Sequence, residues 1–343
     1  MDGTVPNPTR LESGRSVQIL LAAFLIAAAL YFARSLFEPI AFALFGMALV
    51  WPIQKELEAR LPKFAALSLT ILLTLVIMLV FTMAVVWSIG DVVHWTIANI
   101  ASIQALYERW TLWLAEYGIF ITEGVGQYDA RSFVGILRTI ASGANYFSGF
   151  SIGVFLLLTF GLTELDAFRR RLDSLAPKIG RDICRTTEEI AGKIRKYMII
   201  RTTASIATGL AVFAFTFSIS LELATAWGII SFVLNYIPYV GTLVAIVLPV
   251  LFASVQFESW QMAVFVFGSL YLIQFLIGSY LEPIIAGRTL AISPFVMLVA
   301  FFFWAFLWGI PGAFIGLPVT IALLTICEQT ASLKWITKLL SAG

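Results

Sequence analysis

Two clusters of proline and glycine, each at the middle of a long apolar stretch, are the residues of this chain whose types and spacing could do chemistry. The first is Asn235-Tyr236-Ile237-Pro238-Tyr239-Val240-Gly241, inside the apolar segment 222–254. The second is Gly309-Ile310-Pro311-Gly312, followed by Gly316 and Pro318, inside 293–327. Proline removes a backbone donor and disfavours helix at the residue before it, and glycine relaxes the chain beyond. Each cluster therefore frees amide and carbonyl groups within an apolar segment, and Asn235 adds a side chain that both donates and accepts. Such groups bind a polar solute or an ion; they do not by themselves make an enzyme.

The elements that must position these clusters follow from composition. Of 343 residues, 60% are hydrophobic and 12% charged, and the mean hydropathy is +0.94. A soluble domain needs far more polar surface, so the fold class is an all-α, polytopic helical membrane protein. Crossing ~30 Å of hydrocarbon takes about 20 apolar residues, which places six full spans near 17–33, 36–53, 64–90, 146–163, 198–220 and 259–281. The stretches 222–254 and 293–327 do not fit that ruler. As a straight helix the first would be about 48 Å long, and each half alone about 20–24 Å. Two structures fit these lengths, a re-entrant hairpin or one broken and tilted crossing. Non-helical backbone at membrane depth is tolerated only where it is buried in protein or lines a watery cavity. A single kink serves packing, but two overlong broken segments around one ordinary span point to a transport site.

The basic residues set orientation. Arg169, Arg170, Arg171, Lys178, Arg181, Arg185, Lys193, Arg195 and Lys196 crowd the segment 164–197, which marks it as cytoplasmic; its helical pattern gives a solvated face with anionic lipid as a second contact. The region 91–145 has three basic residues against five acidic ones and belongs outside, with an amphipathic helix from Asp91 to Tyr117. The N-terminus (1–16) and the tail (329–343) fall in the cytoplasm. If both broken segments are hairpins, Glu258 lies outside and Arg288 inside, the arrangement the positive-inside rule favours.

Other residues carry less. Glu282-Pro283, with Arg288 six residues after Glu282, ends the span at 259–281 as either a gate or an interfacial anchor. No carboxylate is expected deep in a span, which argues against a proton relay. Enzymatic readings fail on motif: there is no Walker A loop, no pair of intramembrane aspartates, and the lone histidine, His94, lies in the outer region, away from Ser148 and Ser151. The same histidine count speaks against a metal site, no cofactor is expected, and a net charge of +2 speaks against nucleic acid. Cys184 and Cys327 are expected to stay reduced.

The C-terminal half resembles the autoinducer-2 exporter family through Leu234 to Gly241, Leu281-Glu282-Pro283, and Trp308-Gly309-Ile310-Pro311-Gly312 leading into Leu317-Pro318. The likeness extends upstream to Lys196-Tyr197, Ala204-Ser205 and Thr208-Gly209, and spans Tyr197 to Glu328. It implies a transporter without an ATPase of its own, a homo-oligomer with a pentamer among the candidates, and export of the quorum-sensing furanone autoinducer-2 or exchange of sodium or lithium for protons. The chain departs from the common pattern at Tyr239, where a small polar residue is frequent, and at Pro311. The expected substrate pathway is Asn235, Tyr236, Pro238, Tyr239, Gly241, Glu282, Pro283, Arg288, Gly309, Pro311, Gly312 and Pro318, in a C-terminal core over 198–328. The expected partners are a small polar solute or ion and membrane lipids, and the expected place is the bacterial inner membrane. A cation/proton antiporter and a non-transporting scaffold are the alternatives; the scaffold predicts breaks packed tightly with no cavity between them.

Overall fold

The computed structural model describes residues 18, 21–22, 24–116, 130–175, 177–286 and 293–330. Arg288 and the tail beyond 330 lie outside them. Every regular element is a helix, and no strand occurs among the described residues. The order is α1 (24–32), α2 (Arg34–Glu58), α3 (Lys63–Ala98), α4 (Ile100–Glu116), α5 (Ala130–Leu175), α6 (Pro177–Ser218), α7 (Ala224–Leu234), α8 (Val240–Gln256), α9 (Trp260–Leu276), α10 (Glu282–Ala286) and α11 (Pro294–Gln329). A π-helical turn, Ile277–Leu281, joins α9 to α10.

By length and composition alone, six of these stretches could cross a membrane: Arg34–Glu58, Lys63–Ala98, Tyr146–Leu172, Ile179–Ser218, Trp260–Ile285 and Phe295–Gln329. The last of them is broken at Gly309, and the expected first span, 17–33, is only partly described. Rows of large apolar side chains on their outer faces, such as Leu72, Val76, Val80 and Met83 on α3, are exposed. In water so much contiguous apolar surface would drive aggregation; in a bilayer it is the lipid face. The protein is a multi-pass helical membrane protein.

Helix boundaries run past the segments above in several places: α5 and α6 extend through the basic segment 164–197 to Leu175 and from Pro177, and α3 overruns its outer end. The helix that begins at Lys63 does not stop at residue 90 but runs to Ala98, and after Asn99 alone α4 begins. One acid, Asp91, is too weak a signal to end a helix whose next residues are apolar. Its last turn turns inward: the Trp95 ring lies 3.6 Å from the Phe252 ring, and its indole N–H donates to Glu222.

The core sits around α6 to α9. Val212, Trp227, Ile246, Phe252, Ala253, Val266 and Leu270 form one buried cluster, with Trp95 against it. The α6–α7 seam is tightly packed. A Cβ on Gly209 would stand 2.9 Å from the Gly228 carbonyl, and one on Gly228 would stand 2.9 Å from that of Gly209. Small residues at a crossing let backbones touch, the usual way for helices to associate where lipid removes the hydrophobic drive.

Candidate functional site

The first Pro/Gly cluster folds α7 and α8 into a helical hairpin. Its open end is tied where Gln256 accepts from the Glu222 amide at 2.9 Å and donates to the Ser220 carbonyl at 2.9 Å. Between the arms, Trp227 meets Phe252 edge-on at 5.1 Å. The tip is residues 235–239. There the Val240 amide bonds the Pro238 carbonyl at 2.7 Å across Tyr239, whose backbone stands at φ 62, ψ −58. This is a γ-turn of the rare, strained hand, on an aromatic residue that lacks glycine's freedom. Gly241 is not the flexible joint the sequence suggests. It lies in the first turn of α8, where a Cβ would overlap the Leu234 carbonyl oxygen. Holding Tyr239 there costs about 1–3 kcal/mol. Tyr239→Gly is therefore expected to raise the thermal midpoint in detergent, and an unchanged or lower midpoint would remove the strain argument.

The second cluster does the same to α11, which is not one rod. Gly309 stands at φ 63, ψ −139, and the arms 294–308 and 310–329 fold back on each other. Trp304 Nε1 donates to Thr320 Oγ1 at 3.1 Å, and Met297 packs with Leu317 and Ile321. The sequence suggests a break of four or more residues; the structure concentrates it in one. Pro311 falls in the first turn of the second arm, where a missing amide costs nothing, and Pro318 lies buried within that arm. Gly312 and Gly316 are helical and face Trp304, and a Cβ on Gly312 would overlap the Trp304 carbonyl oxygen.

The two hairpins meet at their tips' flanks, where the rings of Tyr236 and Phe314 lie 5.0 Å apart. Against the first tip, α6 presents a row of hydroxyls. Asn235 Nδ2 donates to Ser205 Oγ at 3.2 Å, and Tyr236 Oη donates to Thr202 Oγ1 at 2.9 Å. The same antiparallel register, with Gly209 against Gly228 and Phe232, sets Thr208 opposite Ser231 one turn away. Both are fully buried, and neither hydroxyl has a hydrogen-bond partner. Thr159 on α5 is the other buried hydroxyl without a partner among the described residues, whereas Thr70, Thr74, Thr203, Thr216, Thr320 and Thr325 each donate to the carbonyl four residues back. A buried hydroxyl without a partner costs on the order of 1–3 kcal/mol.

Glu282 finds its partner 81 residues upstream. Arg201 Nη1 lies 2.7 Å from its Oε1, and the two side chains are 14% and 23% exposed. The guanidinium also lies 5.9 Å from the ring centroid of buried Tyr197, which packs on Leu317 and Ile321 of the second hairpin. The π-helical turn before Glu282 inserts an extra residue into the helix, a device common at functional sites. Pro283, beside Glu282, is exposed.

A cavity of about 680 Å³ lies elsewhere, between α2, α5, α6 and the second arm of α11. Its walls are mostly apolar, from Ala43, Met47 and Leu157 to Ile194 and Pro318, with Arg169 and Glu188 at one end. None of its lining residues belongs to the first hairpin. Among the described residues no group of three or more His, Cys, Asp or Glu could hold a metal. The structure thus brings together Asn235, Tyr236, Tyr239 and Gly241, joins Glu282 to the same region through Arg201, and sets Gly309, Pro311, Gly312 and Pro318 in the neighbouring hairpin. Sequence reasoning missed Thr202, Ser231 and the role of Arg201. It also missed Glu38, a buried carboxylate in α2. The available signal for Glu38 was its place inside an apolar run, two residues past the start of a span.

The family model described as AI-2E family transporter matches residues 19–332. A putative transport protein of Borreliella burgdorferi is 35% identical over 190 residues, 55% of this chain and 52% of that protein. The AI-2 transport protein TqsA of Escherichia coli is 28% identical over 341 residues, 96% of each chain. A putative transport protein of Haemophilus influenzae is 26% identical over 54% of each. The chain thus spans about half the length of the Borreliella and Haemophilus relatives and nearly all of the Escherichia coli one. With that match over the three N-terminal helices as well as both hairpins, the chain belongs to the AI-2E transporter family and is a transporter, not an enzyme.

Proposed function

We propose that the protein moves a small polar solute of the autoinducer-2 type outward across the bacterial cytoplasmic membrane, as a homo-oligomer with both termini in the cytoplasm. The full-length likeness to a protein named for AI-2 transport supports the substrate class. The observation that carries the reading is the pair of buried, unpartnered hydroxyls of Thr208 and Ser231, one turn from the Asn235–Ser205 bond. A polar solute would supply the partners they lack.

Both hairpins re-enter the membrane, from opposite faces. The open end of the first is flanked by Glu222 and by Glu258, whose carboxylate lies 3.5 Å from Arg109 of the outer region. The open end of the second is tied to the basic segment, with Gln329 bonded to Arg185 and Glu189, and Glu328 2.6 Å from Lys193. Opposed hairpins whose tips touch at Tyr236 and Phe314 form a double gate: withdrawal of either tip opens the site to one side while the other stays closed.

The test is flux of labelled autoinducer-2 in proteoliposomes, read beside a pH-sensitive dye under sodium and lithium gradients. Asn235→Ala is expected to slow furanone flux about tenfold, the loss of roughly one buried hydrogen bond. Thr208→Val separates a solute contact from a packing role. It removes an unpaired hydroxyl and so stabilises the fold by about 1 kcal/mol, yet it slows flux. Wild-type flux in both variants, or a dye response to sodium with no furanone flux, would overturn the reading.

A further inference from the structure

Glu38 is the buried ionisable group that the solute site does not use. It sits one turn inside α2, 3% exposed. Tyr146 of α5 donates its phenol proton to Glu38 Oε2 at 2.9 Å. Among the described residues, Tyr146 and Arg34, one turn earlier on α2, are the titratable and charged groups that act on it. The contrast with Glu282 is instructive. Glu282 meets the cost of burial with a guanidinium at 2.7 Å, whereas among the described residues no cation lies within ion-pair distance of Glu38. A buried carboxylate with one neutral hydroxyl bonded to it, and with Arg34, the described cation that acts on it, outside ion-pair distance, is expensive when ionised, and the same carboxyl with a proton added is not.

The neighbourhood connects this carboxyl to both hairpins. The Tyr146 ring stacks on Phe150 at 6.2 Å, Phe150 meets Phe42 edge-on at 5.0 Å, Phe42 stacks on Phe314 at 6.2 Å, and Phe314 lies 5.0 Å from Tyr236. Phe42 is one turn past Glu38 on the same helix. Phe37, Ala41 and Phe45 of α2 pack on the buried face of the second hairpin, around Trp304, Trp308 and Ile315. A change in how α2 is seated at Glu38 is therefore passed directly to the second hairpin and, through Phe314, to the tip of the first.

The geometry points to Glu38 as the proton-binding group that couples this transporter to the proton gradient. The carboxylate takes one proton from the outer side to become the neutral acid, and releases it to the cytoplasmic side when the hairpins exchange positions; no other bond is made or broken. Ionised Glu38 draws water toward α2, and protonated Glu38 allows the aromatic stack to close. The inference rests on the hairpins being the moving parts, as proposed above, but proton binding itself is measurable without any solute.

The experiment uses the full chain in lipid nanodiscs and follows the carboxylic-acid carbonyl band by infrared difference titration. Wild type is expected to show one such band that disappears as pH is raised through neutrality. Glu38→Gln should lack it, while Tyr146→Phe, which keeps the carboxyl but removes its donor, should retain the band at a shifted frequency. Spin labels on cysteines introduced at Ile310 and Ile152, with Cys184 and Cys327 replaced by serine, then report the second hairpin against α5. Their separation should change with pH in the otherwise wild-type protein and be pH-independent with Glu38→Gln. A titrating band that survives Glu38→Gln, or its absence from wild type, overturns the assignment. A band that behaves as expected with label distances indifferent to pH overturns the coupling. Both results as expected but no furanone flux would leave the proton site standing and count against the solute reading alone.

Discussion

Alanine at Gly312 is expected to abolish transport and to lower stability by roughly 3 kcal/mol or more, and alanine at Gly241 to do the same to the other hairpin. The reason lies in what the added methyl would meet. At Gly312 it would overlap the carbonyl oxygen of Trp304, and at Gly241 that of Leu234. A crowded side chain can rotate away, but the Trp304 carbonyl is fixed within its helix and that of Leu234 by its bond from the Ile237 amide, so the arms must part. Parting them at Gly312 also removes the Trp304–Thr320 bond and the seat of Gly316 on the Trp304 side chain. The control is Gly268→Ala on α9, where a Cβ meets nothing within 4 Å. There alanine should stabilise by about 0.5–1 kcal/mol through helix propensity alone. Thermal melts by tryptophan fluorescence, with flux in the same preparations, check both. Equal, small effects at Gly312 and Gly268 would show that the hairpin arms are not held in contact.

The two breaks were legible in the sequence because proline and glycine act locally, and the excess length of 222–254 and 293–327 called for a reversal or a tilt. What length and local chemistry do not carry is which residue bends. Gly309 alone takes the second reversal because Pro311 suits a first helical turn, and Tyr239 takes the first although its type argues against positive φ. Pairings between distant elements were not legible at all. Nothing near Glu282 announces Arg201, 81 residues earlier in the chain. Thr208 and Ser231 look like any hydroxyl in a membrane helix, since such groups ordinarily bond their own backbone. Only the structure shows that these two do not. The expectation of no deep carboxylate overlooked Glu38, whose bonding partner, Tyr146 on α5, comes more than a hundred residues later.

The Arg201–Glu282 pair supplies the other large effect. Glu282→Gln or Arg201→Met alone is expected to destabilise the protein by about 3–5 kcal/mol, since each leaves an uncompensated charge in a mostly buried, partly apolar setting. The double variant Arg201→Met, Glu282→Leu removes both charges together and should recover most of that loss, because a buried ion pair and a well-packed apolar pair of similar volume are close in free energy. Transport should not recover with it. Arg201 lies over Tyr197, which seats the second hairpin through Leu317 and Ile321, and its neighbour Thr202 accepts from Tyr236 in the first tip. Glu282 comes from the end of α9 and its π-helical turn. The pair thus fixes α6 between the two hairpins and the span that separates them in sequence, and an apolar replacement can fill the volume without setting that alignment. Melting temperature and flux, measured on the two single variants and the double, give a complete cycle. A double variant as unstable as the singles would assign the pair a packing role through Tyr197, and a double variant that transports at the wild-type rate would remove it from the mechanism.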